Sequence, residues 1–240
     1  MTDHNCFIGA WPFYRLEGTD LAALRKAHAA HGITGGYLSA LPSVFYNDFY
    51  ESERCLAEQI RGSDYFHTVL PNPTVTGAKE ALAACFAEFA PRGIRLVPGY
   101  QGYSLRDECL SPVLEAARAR RIPLFVNARL SDERMTHLIH PTVPTPQELW
   151  EFSKRAEGIP LVLCHLTEQE TAEVLERAGD AHGLFFDTTG NTGSLLAHPH
   201  PAALGRTVLG TGFPLYSVTS AVLRLEKELP DGEEKRRILS

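Results

Sequence analysis

The chain reads as an α/β protein, a closed (β/α)8 barrel of parallel strands alternating with helices. Three observations predict this. Short apolar runs rich in β-branched and aromatic residues recur, each followed by a stretch with helical spacing. Eight such units fit into the 240 residues, about one per 30, the length a βαβ crossover needs. The runs look apolar on both faces, as strands do when helices cover a parallel sheet. An open doubly wound sheet is the alternative arrangement of the same units.

In order, the first strand is Cys6-Phe7-Ile8-Gly9, followed by a helix from about Asp20 to His31 with Leu21, Leu24 and Ala27 near one face. Gly36–Ser39 and a helix near Phe49–Ile60 come next, then a strand over Tyr65–Leu70, stopped by Pro71-Asn72-Pro73, and a helix over Ala78–Phe89. Gly93–Val97 is a strand and Leu110–Arg120 a helix with a basic end. Pro123–Val126 leads into a long loop carrying Pro141, Pro144 and Pro146, then a helix over Gln147–Ala156. Pro160–Cys164 precedes a helix over Glu168–Ala178, and Gly183–Phe186 a helix near Gly193–Ala197. Thr207–Leu209 precedes a helix over Ser217–Glu228, and a charged helix over Gly232–Leu239 ends the chain. No linker, repeat or low-complexity segment divides the sequence, so residues 1–240 are expected to form one barrel domain.

Bulk properties narrow the function. Hydrophobic residues make up 44% and charged residues 22%, as in an ordinary globular protein. A net charge of −6 with no Lys/Arg block argues against a nucleic-acid partner. No apolar run reaches the ~20 residues that span a bilayer, so no membrane partner is expected. Met1-Thr2-Asp3-His4-Asn5 lacks the basic start of a signal peptide, and Cys6, Cys55, Cys85, Cys109 and Cys164 are scattered. Together these fit a cytoplasmic protein with buried, reduced thiols. A homo-oligomer packed through outer helices is compatible with the sequence.

Either arrangement of the units puts chemistry in the loops after the strands' C-terminal ends. Several sequence pieces at those ends carry a resemblance. They are Gly93-Ile94-Arg95-Leu96 with Gly102-Tyr103, Ala128-Arg129-Leu130-Ser131-Asp132-Glu133-Arg134, and Leu161-Val162-Leu163-Cys164-His165. Leu184-Phe185-Phe186-Asp187 and Val208-Leu209-Gly210-Thr211-Gly212-Phe213-Pro214 complete them. In order and spacing the chain resembles the amidohydrolase-related (amidohydrolase 2) family of TIM-barrel metal-dependent hydrolases, weakly in its first third and better from Gly93 to Pro214.

The resemblance implies a divalent metal held by an Asp-x-His-x-His start, by histidines on strands five and six, and by the Asp of a closing Gly-Ser-Asp-x-Pro. Here Asn5 and Phe7 stand at the two starting histidines, Asn127 at the strand-five histidine and Gly212 at the aspartate; His165 alone matches. A hydrolytic metal needs about three protein ligands plus an open position. Asn is a poor zinc ligand, and Phe and Gly offer none. The implied reaction class is hydrolysis of a C–N or ester bond, lactone opening or decarboxylation, on a small carboxylated substrate and without the usual metal centre. The alternative is a catalytically silent barrel that binds a small molecule or a protein.

The residues nominate the remaining candidates. His165 could serve as general base, since an imidazole titrates near neutral pH, or simply be hydrogen-bonded at its strand end. Arg129, with Arg134 nearby, could clamp a carboxylate or pair with Asp132 and Glu133. Tyr100, Gln101 and Tyr103 could line the mouth, as could Trp11, Phe13 and Tyr14, or could merely pack a lid. Asn5, Asn127 and Asp187 are further candidate ligand contacts; alternatively Asn5 and Asn127 bond each other in space vacated by a metal. No cofactor is predicted, but His137, His140 and His165, with or without Asp187, form the set on which zinc or manganese could be re-sited. His198 and His200 precede strand eight and belong to the opposite, stability face.

Overall fold

The computed structural model describes residues 1–131, 139–179, 181–189, 203, 205–229 and 231–238. Its strands are β1 (Thr2–Ile8), β2 (Gly35–Ala40), β3 (Tyr65–Val69), β4 (Gly93–Leu96), β5 (Leu124–Asn127), β6 (Leu161–Cys164), β7 (Leu184–Asp187) and β8 (Thr207–Val208). They pair in chain order, every pair parallel. That order excludes the doubly wound alternative, in which strand order reverses. After β8 the backbone runs on against β1. His4 N donates to Leu209 O at 2.8 Å, Gly212 N to Asn5 O at 2.7 Å and Phe7 N to Phe213 O at 2.8 Å, nearly closing the barrel.

Around the sheet lie α1 (Leu21–Ala29), α2 (Phe49–Ile60), α3 (Ala78–Phe89), the single turn α4 (Pro98–Gln101), α5 (Ser111–Arg120), α6 (Pro146–Arg155), α7 (Glu168–Ala178), α8 (Val218–Glu228) and α9 (Glu233–Ile238). Their starts follow from local chemistry. Asp20, Thr145 and Ser217 accept from the backbone N–H three residues on, and Thr167 with Glu170 forms a reciprocal capping box. The helix expected near Gly193–Ala197 lies outside the described residues. Among the described residues, no helix is long and apolar enough to cross a membrane.

Strand periodicity explains the core. Ile94, Leu96, Leu124, Val126, Leu161, Leu163, Leu184 and Phe186 face the helices in one large cluster. The alternating positions Phe125, Val162, Cys164, Phe185 and Val208 meet inside the barrel with Tyr37. Both faces are thus buried, at roughly 25 cal/mol per Å2 of apolar surface.

Strand β1 departs from expectation by starting four residues early. Asp3, His4 and Asn5 read as a polar lead-in, yet they are strand residues, with Asp3 and Asn5 fully buried. A register shift between Asp3 and Cys6 redirects the side chains. Asp3 faces α1, where its Oδ2 lies 3.1 Å from His28 Nε2, and Tyr65 Oη is 2.9 Å from His28 Nδ1. Thr211 adds its N–H at 3.0 Å and its hydroxyl at 2.5 Å. Burial alone would raise the Asp3 carboxyl; the bond and charge of His28, with Thr211, outweigh it and hold Asp3 below its ordinary range. The thiols are unpaired, but only Cys6, Cys85 and Cys164 are buried; Cys55 is exposed and Cys109 half-buried.

Candidate active site

Arg95 organises the strand ends, and the sequence reading did not single it out. It is fully buried on β4, pointing inward between the outward Ile94 and Leu96. Nε donates to Ser39 Oγ at 2.9 Å, and Nη1 to Asn5 Oδ1 at 2.6 Å and Asn127 Oδ1 at 2.7 Å. Nη2 donates to the carbonyls of His4 (3.1 Å) and Tyr37 (3.2 Å). The guanidinium carbon lies 4.8 Å from the Phe7 ring centroid and 4.9 Å from that of Phe125, a contact worth about 1–2 kcal/mol per ring when desolvated. All five donors are thereby satisfied, by neutral acceptors. A visible signal did exist: one arginine inside the apolar strand Gly93-Ile94-Arg95-Leu96-Val97, at the alternation position that faces the axis.

Asn5 and Asn127 meet as one of their two readings expects, with Asn127 Nδ2 donating to Asn5 Oδ1 at 3.0 Å. Asn5 Nδ2 donates onward to Asp187 Oδ2 (2.8 Å) and Thr189 Oγ1 (3.0 Å). Asp187 also accepts from the Thr189 hydroxyl at 2.5 Å and from the His165 backbone N–H at 2.7 Å. Burial pushes its carboxyl up to about 6, against the pull of those donors and of Arg95. Gly210 leaves room for this carboxylate, since a Cβ there would overlap Asp187 Oδ2.

His165 follows β6 directly, 7% exposed and with φ at +59°. A left-handed non-glycine residue is strained, and such strain gathers at functional positions. Its Nε2 lies 3.2 Å from Tyr216 Oη, with the rings edge to face at 5.0 Å. Its carbonyl accepts from Arg129 Nη1 at 3.3 Å. Tyr216 escaped the sequence reading because it falls beyond the closing motif, in a turn without periodicity.

Arg129 is already occupied. It grips Glu170 through two bonds of 2.8 and 2.7 Å, both side chains largely buried. Burial would lift the Glu170 carboxyl, but Arg129 and Thr167 hold it below the ordinary range. A substrate carboxylate would have to displace Glu170, a partner 41 residues away that local inspection passed over in favour of Asp132 and Glu133. Those two, with Arg134 and His137, lie outside the described residues, as do His198 and His200.

The aromatic candidates divide. Trp11, Phe13, Tyr14, Phe45 and Tyr100 pack edge to face. With Phe7, Leu41, Val44, Leu70, Val97 and Leu130 they form an apolar cluster over the β1–β5 side of the mouth. Tyr100 Oη lies 3.2 Å from Ser131 Oγ, and Gln101 Nε2 donates to Ser43 O at 3.4 Å. Tyr103 is corrected: it sits in the helix-facing core and does not line the mouth.

The implied metal does not fit these residues. Asn5 and Asn127 turn their oxygens to a guanidinium, and Phe7 stacks on that same group. Gly212 has φ at +68°, and a Cβ there would come within 2.6 Å of Thr189 Cγ2 and 2.8 Å of Tyr216 Cδ2, leaving no room for an aspartate. Of the re-sited set, His137 lies outside the described residues, while His140 is exposed and His165 buried. The described trio whose ligand atoms lie close enough for a metal is Asp3, Cys6 and His28, between β1 and α1. Its carboxylate and imidazole are already bonded to each other, to Thr211 and to Tyr65.

No family model matches the chain, and no curated protein matches its sequence. Solved structures do. An uncharacterised TIM-barrel protein from Bordetella bronchiseptica superposes with a TM-score of 0.71 at 14% identity, covering 99% of this chain and 94% of that one. An amidohydrolase II structure gives 0.67 at 13%, covering 99% and 96%. A dihydroxybenzoic acid decarboxylase from Polaromonas, with bound manganese and the inhibitor 2-nitroresorcinol, gives 0.64 at 15%, covering 91% and 82%. At these identities the likeness is one of fold: the chain is an eight-stranded α/β barrel similar to those of amidohydrolases and decarboxylases.

Proposed function

We propose that the chain is an amidohydrolase-like enzyme acting on a small carboxylated molecule, by hydrolysis or decarboxylation, with His165 as its proton-transfer group and no divalent metal. The supporting observation is the bracing of His165. Its backbone is tied to Asp187 and its ring to Tyr216, at the barrel end where this fold carries its chemistry. In hydrolysis the neutral imidazole takes a proton from the attacking water and returns it to the leaving group. In decarboxylation the imidazolium gives its proton to the carbon that releases CO2. Tyr216 orients the ring, and Tyr100 and Gln101 are the half-buried rim groups available to a ligand.

The silent-barrel alternative draws on the apolar cluster around Phe7 and Trp11, which packs over the β1–β5 side of the mouth. One experiment separates the two. Wild type and His165→Asn are offered hydroxybenzoates, small dicarboxylates and lactones, with product formation read by mass spectrometry and binding by thermal shift. Turnover lost in His165→Asn supports the enzyme; ligand-induced stabilisation without turnover in either protein selects the binding barrel.

A further inference from the structure

Three of the four replaced ligand positions converge on one group. Asn5 and Asn127 present their oxygens to Arg95 Nη1 at 2.6 and 2.7 Å, and Phe7 lies against the guanidinium at 4.8 Å. Asn5 lies on β1 and Asn127 on β5, across the barrel from each other, with Arg95 arriving from β4 between them. A neutral amide oxygen is a poor zinc ligand but a good guanidinium acceptor, and an aromatic face attracts a cation while offering a metal nothing. The chemistry of all three positions is that of an arginine site.

We propose that Arg95 is the resident cation of this barrel, its guanidinium filling the ground between Asn5, Phe7 and Asn127 that the resemblance gives to a divalent metal. The group supplies one fixed positive charge, linked through Asn5 to Asp187 and from there to the backbone of His165. With five donors spent and no exposure, Arg95 does not touch substrate; it is a positioning residue that holds the strand ends together and sets the field in which His165 works. The inference deepens the metal-free reading of the site, yet it stands or falls separately, because its test reads stability and requires no turnover.

The test is chemical rescue of Arg95→Ala, followed by thermal melting. The variant is expected to melt about 10 °C below wild type, as expected when several buried acceptors lose their donor. Guanidinium chloride at low millimolar concentration, far below denaturing levels, is expected to restore part of that loss in the variant and leave wild type unchanged. Zinc or manganese chloride at equal concentration is expected to restore nothing. Recovery with either metal, or none with guanidinium, overturns the proposal. Should Arg95→Ala not fold, Arg95→Lys and Arg95→Met decide. A lysine variant clearly more stable than the methionine one supports a cation site, and equal melting points overturn it.

Discussion

Replacing Asp187 by asparagine removes a carboxyl that burial raises from 3.8 to about 6. The folded protein holds this proton more tightly than the unfolded chain does. Stability from Asp187 is therefore fully present below pH 3.8 and falls as pH rises through 6. At about 1.36 kcal/mol for each pH unit between those two values, the loss across the window is about 3 kcal/mol. The same carboxylate accepts from Asn5, Thr189 and His165, so the asparagine, which puts an NH2 against one of these donors, is expected to destabilise at every pH. The pH slope separates the two effects. Urea denaturation of wild type and Asp187→Asn at half-unit steps from about pH 4 to 7 cancels the other titrating groups in the difference. Of this total, wild type is expected to lose about 2 kcal/mol relative to the variant between about pH 4 and 6.5, because part of the loss falls below pH 4. A difference independent of pH would refute the claim that burial outweighs the donors around Asp187, and a difference of opposite sign would mean that the donors and Arg95 win.

Other perturbations probe separate contacts. His28→Ala strips Asp3 of its imidazole and is expected to cost roughly 3–5 kcal/mol by urea denaturation at neutral pH. Because Asp3 is held below 3.8, its contribution fades only as pH drops beneath that value. Glu170→Ala breaks both the capping box of α7 and the bidentate pair with Arg129, for an expected loss of about 2–4 kcal/mol in the same assay. Gly212→Asp places a side chain at φ +68° against Thr189 and Tyr216; a drop in melting temperature is expected, and added manganese is expected not to recover it. Tyr216→Phe removes one hydrogen bond to His165 and is expected to lower kcat about tenfold with little change in stability, measured on whichever substrate the panel identifies.

The barrel was legible because parallel strands buried on both faces leave short, nearly unbroken apolar runs, and helices such as Phe49–Ile60, Ala78–Phe89 and Glu168–Ala178 alternate with them. The strand β1 start was not, because Asp3 and Asn5 are buried through polar partners on α1, β4 and β7, which only the closed barrel brings together. The candidate site residues divide on the same ground. Asn127, Asp187 and His165 stand at strand ends, where fold rules alone point, and they meet in one network with Asn5 from within β1. Arg95, Tyr216 and the Arg129–Glu170 pair are placed by contacts across 32 to 91 residues, which no local pattern encodes. Arg95 left one readable trace, a charge in the middle of an apolar strand.

Metal content tests the central claim most directly. The chain would be purified without an affinity tag or chelator, and its zinc, manganese and iron determined by elemental analysis against protein concentration. The account predicts far less than one metal per chain, with folding intact. One tightly held zinc or manganese per chain would contradict it. It would return attention to the Asp3, Cys6 and His28 trio and to His137, His140 and His165.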